Sequence, residues 1–218
     1  MKKTIFSSIV LALLFLTSCQ TKEKQVQPEA AFGKYVQAFT SGIISTESTI
    51  SVYLSQPVTN PEKPGKALFN FSPAIKGETV FVNDRLIEFR PSEPLRQGTV
   101  YSAEFFPGEI FETEAGMQKM PFQFSTIKQS FSLHFDGLKN YEGGPYKKMQ
   151  FNGYLLTADV ANFAETEKIV RASFEDKEVT INWIHEPDRR KHFFSIDSLE
   201  RPAEKSAGLM VDNLIINI

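Results

Sequence analysis

Short runs in which apolar and polar residues alternate, punctuated by Pro, Gly, Asn and Asp, dominate this chain from about Ile43 onward. A period of two puts successive side chains on opposite faces of an extended strand, so each such run predicts a half-buried β-strand. Ile50, Val52 and Leu54 alternate with Thr49, Ser51 and Tyr53, and Gln56-Pro57 ends the run. Phe69 and Phe71 alternate before Ser72-Pro73. Val80 and Val82 on one side, and Leu86, Ile87 and Phe89 on the other, flank Asn83-Asp84-Arg85 as a tight hairpin, because Asn and Asp tolerate left-handed turn geometry. Val100, Ala103, Phe105 and Phe106 form another run, and Phe122, Phe124 and Ile127 complete the first set. No stretch sustains a helical period. These strands, spanning residues 44–127, predict one β-sandwich.

A second set follows over residues 128–218. Phe131, Leu133 and Phe135 alternate before Asp136-Gly137, read as a turn, and Gly143-Gly144-Pro145, read as another. Met149, Phe151, Tyr154 and Leu156 open a longer strand. Residues 161–168 are a polar connector with one helical turn. Val170, Ala172 and Phe174 predict a strand that turns at Glu175-Asp176-Lys177 into Val179, Ile181, Trp183 and His185. His192, Phe194 and Ile196 carry the alternation on, and Leu209, Val211 and residues 214–218 close it, with Asp212-Asn213 as a turn. The fold class expected is therefore all-β: two consecutive antiparallel β-sandwich domains, 44–127 and 128–218.

The amino terminus is patterned differently. Lys2 and Lys3 precede an apolar stretch over residues 5–16, followed by the small residues Thr17 and Ser18. That stretch is too short to cross a bilayer, which takes about 20 apolar residues, and it has the form of a secretory leader. It ends at Cys19, the single cysteine of the 218-residue chain. Leu16-Thr17-Ser18-Cys19 resembles the lipobox of bacterial lipoproteins. The resemblance implies a signal peptide over residues 1–18, cleavage before Cys19, and lipidation of its thiol. Gln20 stands where that family's inner-membrane retention signal has an aspartate, which implies the outer membrane, periplasmic or surface-facing. Residues 19–43 are read as the lipidated cysteine and a tether, with 20–31 polar and free of pattern.

Composition narrows the functions. The formal charge is −2 with no basic block, which argues against a nucleic-acid partner. One cysteine allows no intrachain disulfide, so stability rests on packed cores filled by the 20 phenylalanines. The 3 histidines, His134, His185 and His192, lie in no zinc-like spacing, and each is read as a surface or edge-strand residue. No Gly-x-Ser-x-Gly elbow, phosphate loop or calcium loop is present. No catalytic, cofactor-binding or metal-ligating residue is therefore assigned, no cofactor is expected, and the chain is read as not an enzyme. Trp183, in phase with Val179 and Ile181, is read as core, and Arg189-Arg190-Lys191 as a solvated turn.

Two stretches carry a further resemblance. Ile50-Ser51-Val52-Tyr53-Leu54-Ser55-Gln56-Pro57-Val58 is similar to the opening strand of bacterial Ig-like domains. Leu86-Ile87-Glu88-Phe89-Arg90-Pro91 running into Pro94-Leu95, Gly98-Thr99 and Tyr101 is similar to that family's second half. In it Leu86 and Phe89 are read as facing the core. Tyr146-Lys147-Lys148-Met149-Gln150-Phe151-Asn152-Gly153 and Val179-Thr180-Ile181-Asn182-Trp183 resemble a macroglobulin-type domain. Behind a lipobox, this order resembles the amino-terminal region of bacterial alpha-2-macroglobulin-like lipoproteins. The resemblance implies the membrane-anchored, non-catalytic arm of a protease inhibitor, truncated before its bait region and thioester, meeting proteases through the missing carboxy-terminal domains. The alternative is a stand-alone adhesin or glycan-binding lipoprotein.

Overall fold

In the computed structural model, residues 26–59, 67–140, 148–200 and 214–217 are described. They are all-β apart from two 3-10 turns and one short helix, α1 (Phe163–Glu167). The first unit holds β1 (Val36–Phe39), β2 (Gly42–Ile44), β3 (Ile50–Leu54), β4 (Phe69–Ser72), β5 (Gly77–Phe81), β6 (Leu86–Pro91), β7 (Val100–Phe105) and β8 (Met120–Thr126). One sheet runs β1-β3-β6-β5 and the other β2-β8-β7-β4. All pairs are antiparallel except β2 with β8. The chain changes sheet between β1 and β2, where Gly42 takes a left-handed φ of 75° that a side chain would resist.

The alternation read from the sequence is what closes this sandwich. Ile50, Val52 and Leu54 are wholly buried from one sheet, and Phe105, Met120 and Phe122 from the other. Between the sheets the rings interlock, with Phe71 and Phe89 centroids 4.7 Å apart and Tyr101 stacked on Phe124 at 5.2 Å. Each such ring contributes about 1.5–3 kcal/mol by leaving water. The hairpin between β5 and β6 forms where expected, because Asn83 Oδ1 accepts from the amides of both Arg85 and Leu86.

The second unit holds β9 (Phe131–Asn140), β10 (Lys148–Thr157), α1, β11 (Arg171–Phe174), β12 (Lys177–Glu178), β13 (Asn182–His185), β14 (Lys191–Glu200) and β15 (Leu214–Asn217). A long sheet β13-β14-β10-β9 faces a small one, β12-β11-β15. Phe151, Phe194, Ile196 and Leu199 from the long sheet pack with Ala172 of the small one. Gly153, opposite both Phe135 and Phe194, gives up its side-chain volume to the Phe194 ring. Glu175 and Asp176, both at left-handed φ, make the two-residue turn joining β11 to β12.

Several expectations are corrected. β1 falls inside residues 19–43, read as tether, and β2 straddles their end, yet both pair into the first unit's sheets. Leu86 and Phe89, an odd number apart, cannot share a face of one strand; Ile87 and Phe89 face the core, and Leu86 is only half-buried. Asp136-Gly137 is no turn but a bulge inside β9, with Gly137 at φ 85°. The run from Val179 to His185 is not one strand, because residues 179–181 cross from the small sheet to the long one. Cys19 and the lipobox, Gly143-Gly144-Pro145, Asp212-Asn213 and Ile218 lie outside the described residues.

Candidate functional site

Two places bring polar side chains together with purpose. The first is the junction between the units. Asp159, on the loop after β10, is 3% exposed. Its Oδ2 accepts from the backbone N–H of Thr46 at 2.7 Å and from Thr46 Oγ1 at 2.9 Å, while Oδ1 accepts from the Val160 amide at 2.9 Å. Burial disfavours the charge, but hydrogen bonds from Ser45, Thr46 and Val160 outweigh it and hold the carboxyl below its ordinary range. Gln129, on the connector, donates to the carbonyls of Asp159 and Val160 and accepts from the Asp159 amide. Arg189 of the second unit pairs with Glu47 of the first, so the solvated turn that carries it also reaches this junction. An open cleft of about 450 Å³ lies beside these groups, lined by Thr46, Gln97, Gln129, Asp159 and Asn162 among others.

The second place is a histidine pair. β13 and β14 set His185 directly opposite His192, with their Nδ1 atoms 2.9 Å apart. His185 Nε2 lies 3.0 Å from Glu167 Oε1 at the end of α1. The His185 ring stacks flat on Phe163 at 4.2 Å and lies parallel to Trp183 at 6.0 Å. His192 is wholly buried, and its Nε2 has no hydrogen-bond partner among the described residues. One assignment leaves no buried N–H without an acceptor: His185 Nε2–H donates to Glu167, and His192 Nδ1–H donates to His185 Nδ1. His192 Nε2 is then a bare lone pair at the end of a carboxylate–imidazole–imidazole chain. Burial, and next the proximity of His185, lower the His192 pKa, with Asp188 acting weakly the other way. The arrangement can hold and pass a proton between an exposed carboxylate and a buried nitrogen.

Of the residues weighed from sequence, His134 stands on the outer face of β9 as expected, stacked on Tyr154 at 4.6 Å with Ser132 Oγ 3.2 Å from its Nε2. His185 stands on the edge strand β13, one of the two roles expected for it, with 13% of its side chain exposed. His192, on the inner strand β14, is wholly buried and not a surface or edge residue, and the sheet brings the two together inside the second unit. The signal was present: His192 is in phase with Phe194 and Ile196, which points it inward. Trp183 packs against Phe194 at 5.4 Å. Among the described residues, no group of three or more His, Cys, Asp or Glu side chains is placed to hold a metal ion.

No family model matches the chain, and no curated protein does. Among solved structures, the chain is similar to an L,D-transpeptidase from Mycobacterium tuberculosis H37Rv, at TM-score 0.34 and 12% identity over 71% of this chain and 66% of that one. It is also similar to L,D-transpeptidase 3 from Mycobacterium tuberculosis in complex with a faropenem-derived adduct (TM-score 0.34, 12% identity, 78% of this chain and 77% of that one). A third is an L,D-transpeptidase from Mycobacterium smegmatis (TM-score 0.31, 11% identity, 75% and 60%).

These findings correct the expected identity. The structural neighbours are L,D-transpeptidases and not macroglobulins, so the protease-inhibitor arm is withdrawn, and neither of the other roles, adhesin or glycan-binding module, gains support. The reading of the chain as not an enzyme is withdrawn as well: it rested on motifs absent from the sequence, and the solved structures it is similar to are L,D-transpeptidases. TM-scores of 0.31–0.34 assign this chain no activity of theirs.

Proposed function

We propose that this chain is a lipid-anchored protein of the bacterial envelope that carries its second β unit, with the Glu167–His185–His192 chain, at a fixed angle on the first. The observation that carries the reading is the Asp159 clamp. A buried carboxylate on one unit, bonded to the backbone and side chain of Thr46 on the other, suits a joint that stays closed. A flexible linker would leave both groups to water. The leader ending in Leu16-Thr17-Ser18-Cys19 supports attachment through Cys19, and Gln20 supports the outer membrane. Several acyl chains on one cysteine would hold the protein permanently, since each buried methylene contributes about 0.8 kcal/mol.

Two measurements test this. Metabolic palmitate should label the wild-type protein and not Cys19→Ala, and label persisting in the variant removes the anchor. Small-angle scattering of wild type should fit one rigid arrangement of the two units, whereas Asp159→Ala should broaden it. Wild-type scattering that requires an ensemble of inter-unit angles removes the fixed joint.

A further inference from the structure

β9 is the exceptional edge of this protein. Among the described residues the eight sheet edges are β1, β5, β13, β9, β12, β15, β2 and β4. Seven of these strands are 2–5 residues long, and β9 has 10. Edge strands are ordinarily kept short, charged or kinked, because a row of free N–H and C=O groups invites another strand. β9 has such protection only in its second half, with the bulge at Asp136-Gly137 and the Asp136–Lys139 ion pair. Its first half, from Phe131 to Phe135, contains no charge, no Pro and no Gly. Phe131 and Phe135 are 46% and 52% exposed there, on the face that points toward the core.

We propose that this half-strand pairs with the same half-strand of a second copy, antiparallel about a twofold axis through Leu133. Three observations select a second copy as the occupant. The Ser130 carbonyl accepts from the Ala158 amide, so by alternation Ser132 and His134 bond toward β10, and Phe131, Leu133 and Phe135 turn their amides outward. In a register centred on Leu133 those three residues meet as hydrogen-bonded pairs, Leu133 with itself and Phe131 with Phe135, closing about six bonds. The same register lays apolar against apolar on one face, and Ser132 against His134 on the other. It also brings no like charges together: Asp136 falls opposite Ser130 of the second copy and diagonal to its exposed Lys128. Self-complementarity of this kind is what an isologous interface requires. The result is a continuous eight-stranded sheet, with the Phe131 and Phe135 rings of both copies covering each other.

Disulfide trapping in the full chain tests both the partner and the register. In a Cys19→Ala background, Leu133→Cys places two thiols across the axis, with Cα atoms about 5.5 Å apart, within disulfide range. Phe135→Cys places them about four residues out of register and beyond reach. Mild oxidation should convert most Leu133→Cys to covalent dimer and leave Phe135→Cys monomeric. Sedimentation of the otherwise unaltered chain should show a concentration-dependent dimer that Phe135→Lys weakens at least tenfold. The variant gives up ring contacts with Phe151 and Phe194, so its melting temperature falls, but it keeps a cooperative melt and the β-rich circular dichroism of a folded monomer. A chain that stays monomeric throughout, cross-links preferentially through residue 135, or pairs only with added unrelated peptides would overturn the proposal.

Discussion

Asp159 accepts two hydrogen bonds from Thr46, 113 residues earlier in the chain, at 2.7 Å and 2.9 Å. Both partners sit where one β unit meets the other, so this carboxylate ties two sandwiches that are otherwise joined by the connector around Gln129 and by the exposed Arg189–Glu47 pair. An uncharged replacement cannot supply the same bonds. Asp159→Ala leaves the Thr46 and Val160 amides without acceptors, and the expected cost is about 2–4 kcal/mol in urea unfolding. Asp159→Asn keeps shape and one acceptor and should cost less. Equal stability of all three proteins would show that water replaces the clamp freely.

The same carboxylate makes stability depend on acid. Its folded pKa is lowered, so its contribution is complete above the unfolded aspartate value of about 3.9 and fades as pH falls through the folded one. Wild type should therefore lose stability below about pH 4 relative to Asp159→Asn. Parallel pH profiles for the two proteins would contradict this.

His192 acts in a higher window. A histidine whose folded pKa is lowered binds fewer protons folded than unfolded, so acid favours the unfolded chain. Stability should be steady above the unfolded value of about 6.5 and decline as pH drops below it. The groups facing the pair are Glu167 from α1, His185 from β13 and Asp188 from the following turn. His192→Phe, which fills the site without a titrating nitrogen, should flatten the profile between pH 7 and pH 5. A slope that survives the substitution would belong to another group.

Gly153 offers a purely steric test. A Cβ there would lie 2.5 Å from the His134 carbonyl oxygen and 2.6 Å from Phe194 Cζ. Gly153→Ala should cost about 1–3 kcal/mol by forcing Phe194 out of place. Gly33→Ala, with open space around its Cβ, is the control and should change stability far less.

The surface pair Arg189–Glu47 should matter much less than its neighbour Asp159. Both side chains are more than a third exposed, and such pairs contribute about 0–1 kcal/mol. Arg189→Ala should therefore leave the urea midpoint almost unchanged. A loss comparable to that of Asp159→Ala would place the clamp's strength in the ion pair.

Much of this molecule was written in its periodicity. Alternation at Ile50-Val52-Leu54, Phe69-Phe71 and Phe122-Phe124 is a local property of an extended backbone, and the burial of those side chains follows from it. Where phase was broken the sequence misled: Leu86 and Phe89 were assigned one face although an odd spacing forbids it, and Asp136-Gly137 resembled a turn because bulges and turns use the same residues. β1 and most of β2 were lost in the tether because strands of four and three residues carry too little alternation to register. Motif likeness misled further, because strand-ending Pro and Gly positions recur wherever sandwiches are built.

By itself the sequence determined the class of fold, most of the strands, the aromatic content of the cores and the lone cysteine behind an apolar stretch. These depend on neighbours within a few residues, where pattern and backbone geometry are coupled directly. Only the tertiary structure decided that Asp159 meets Thr46, that His185 meets His192 and Glu167, and that β9 is a long open edge among the described residues. Those relations join residues up to 113 positions apart. They depend on which strands become neighbours, an outcome of the whole chain's packing that no local spacing encodes.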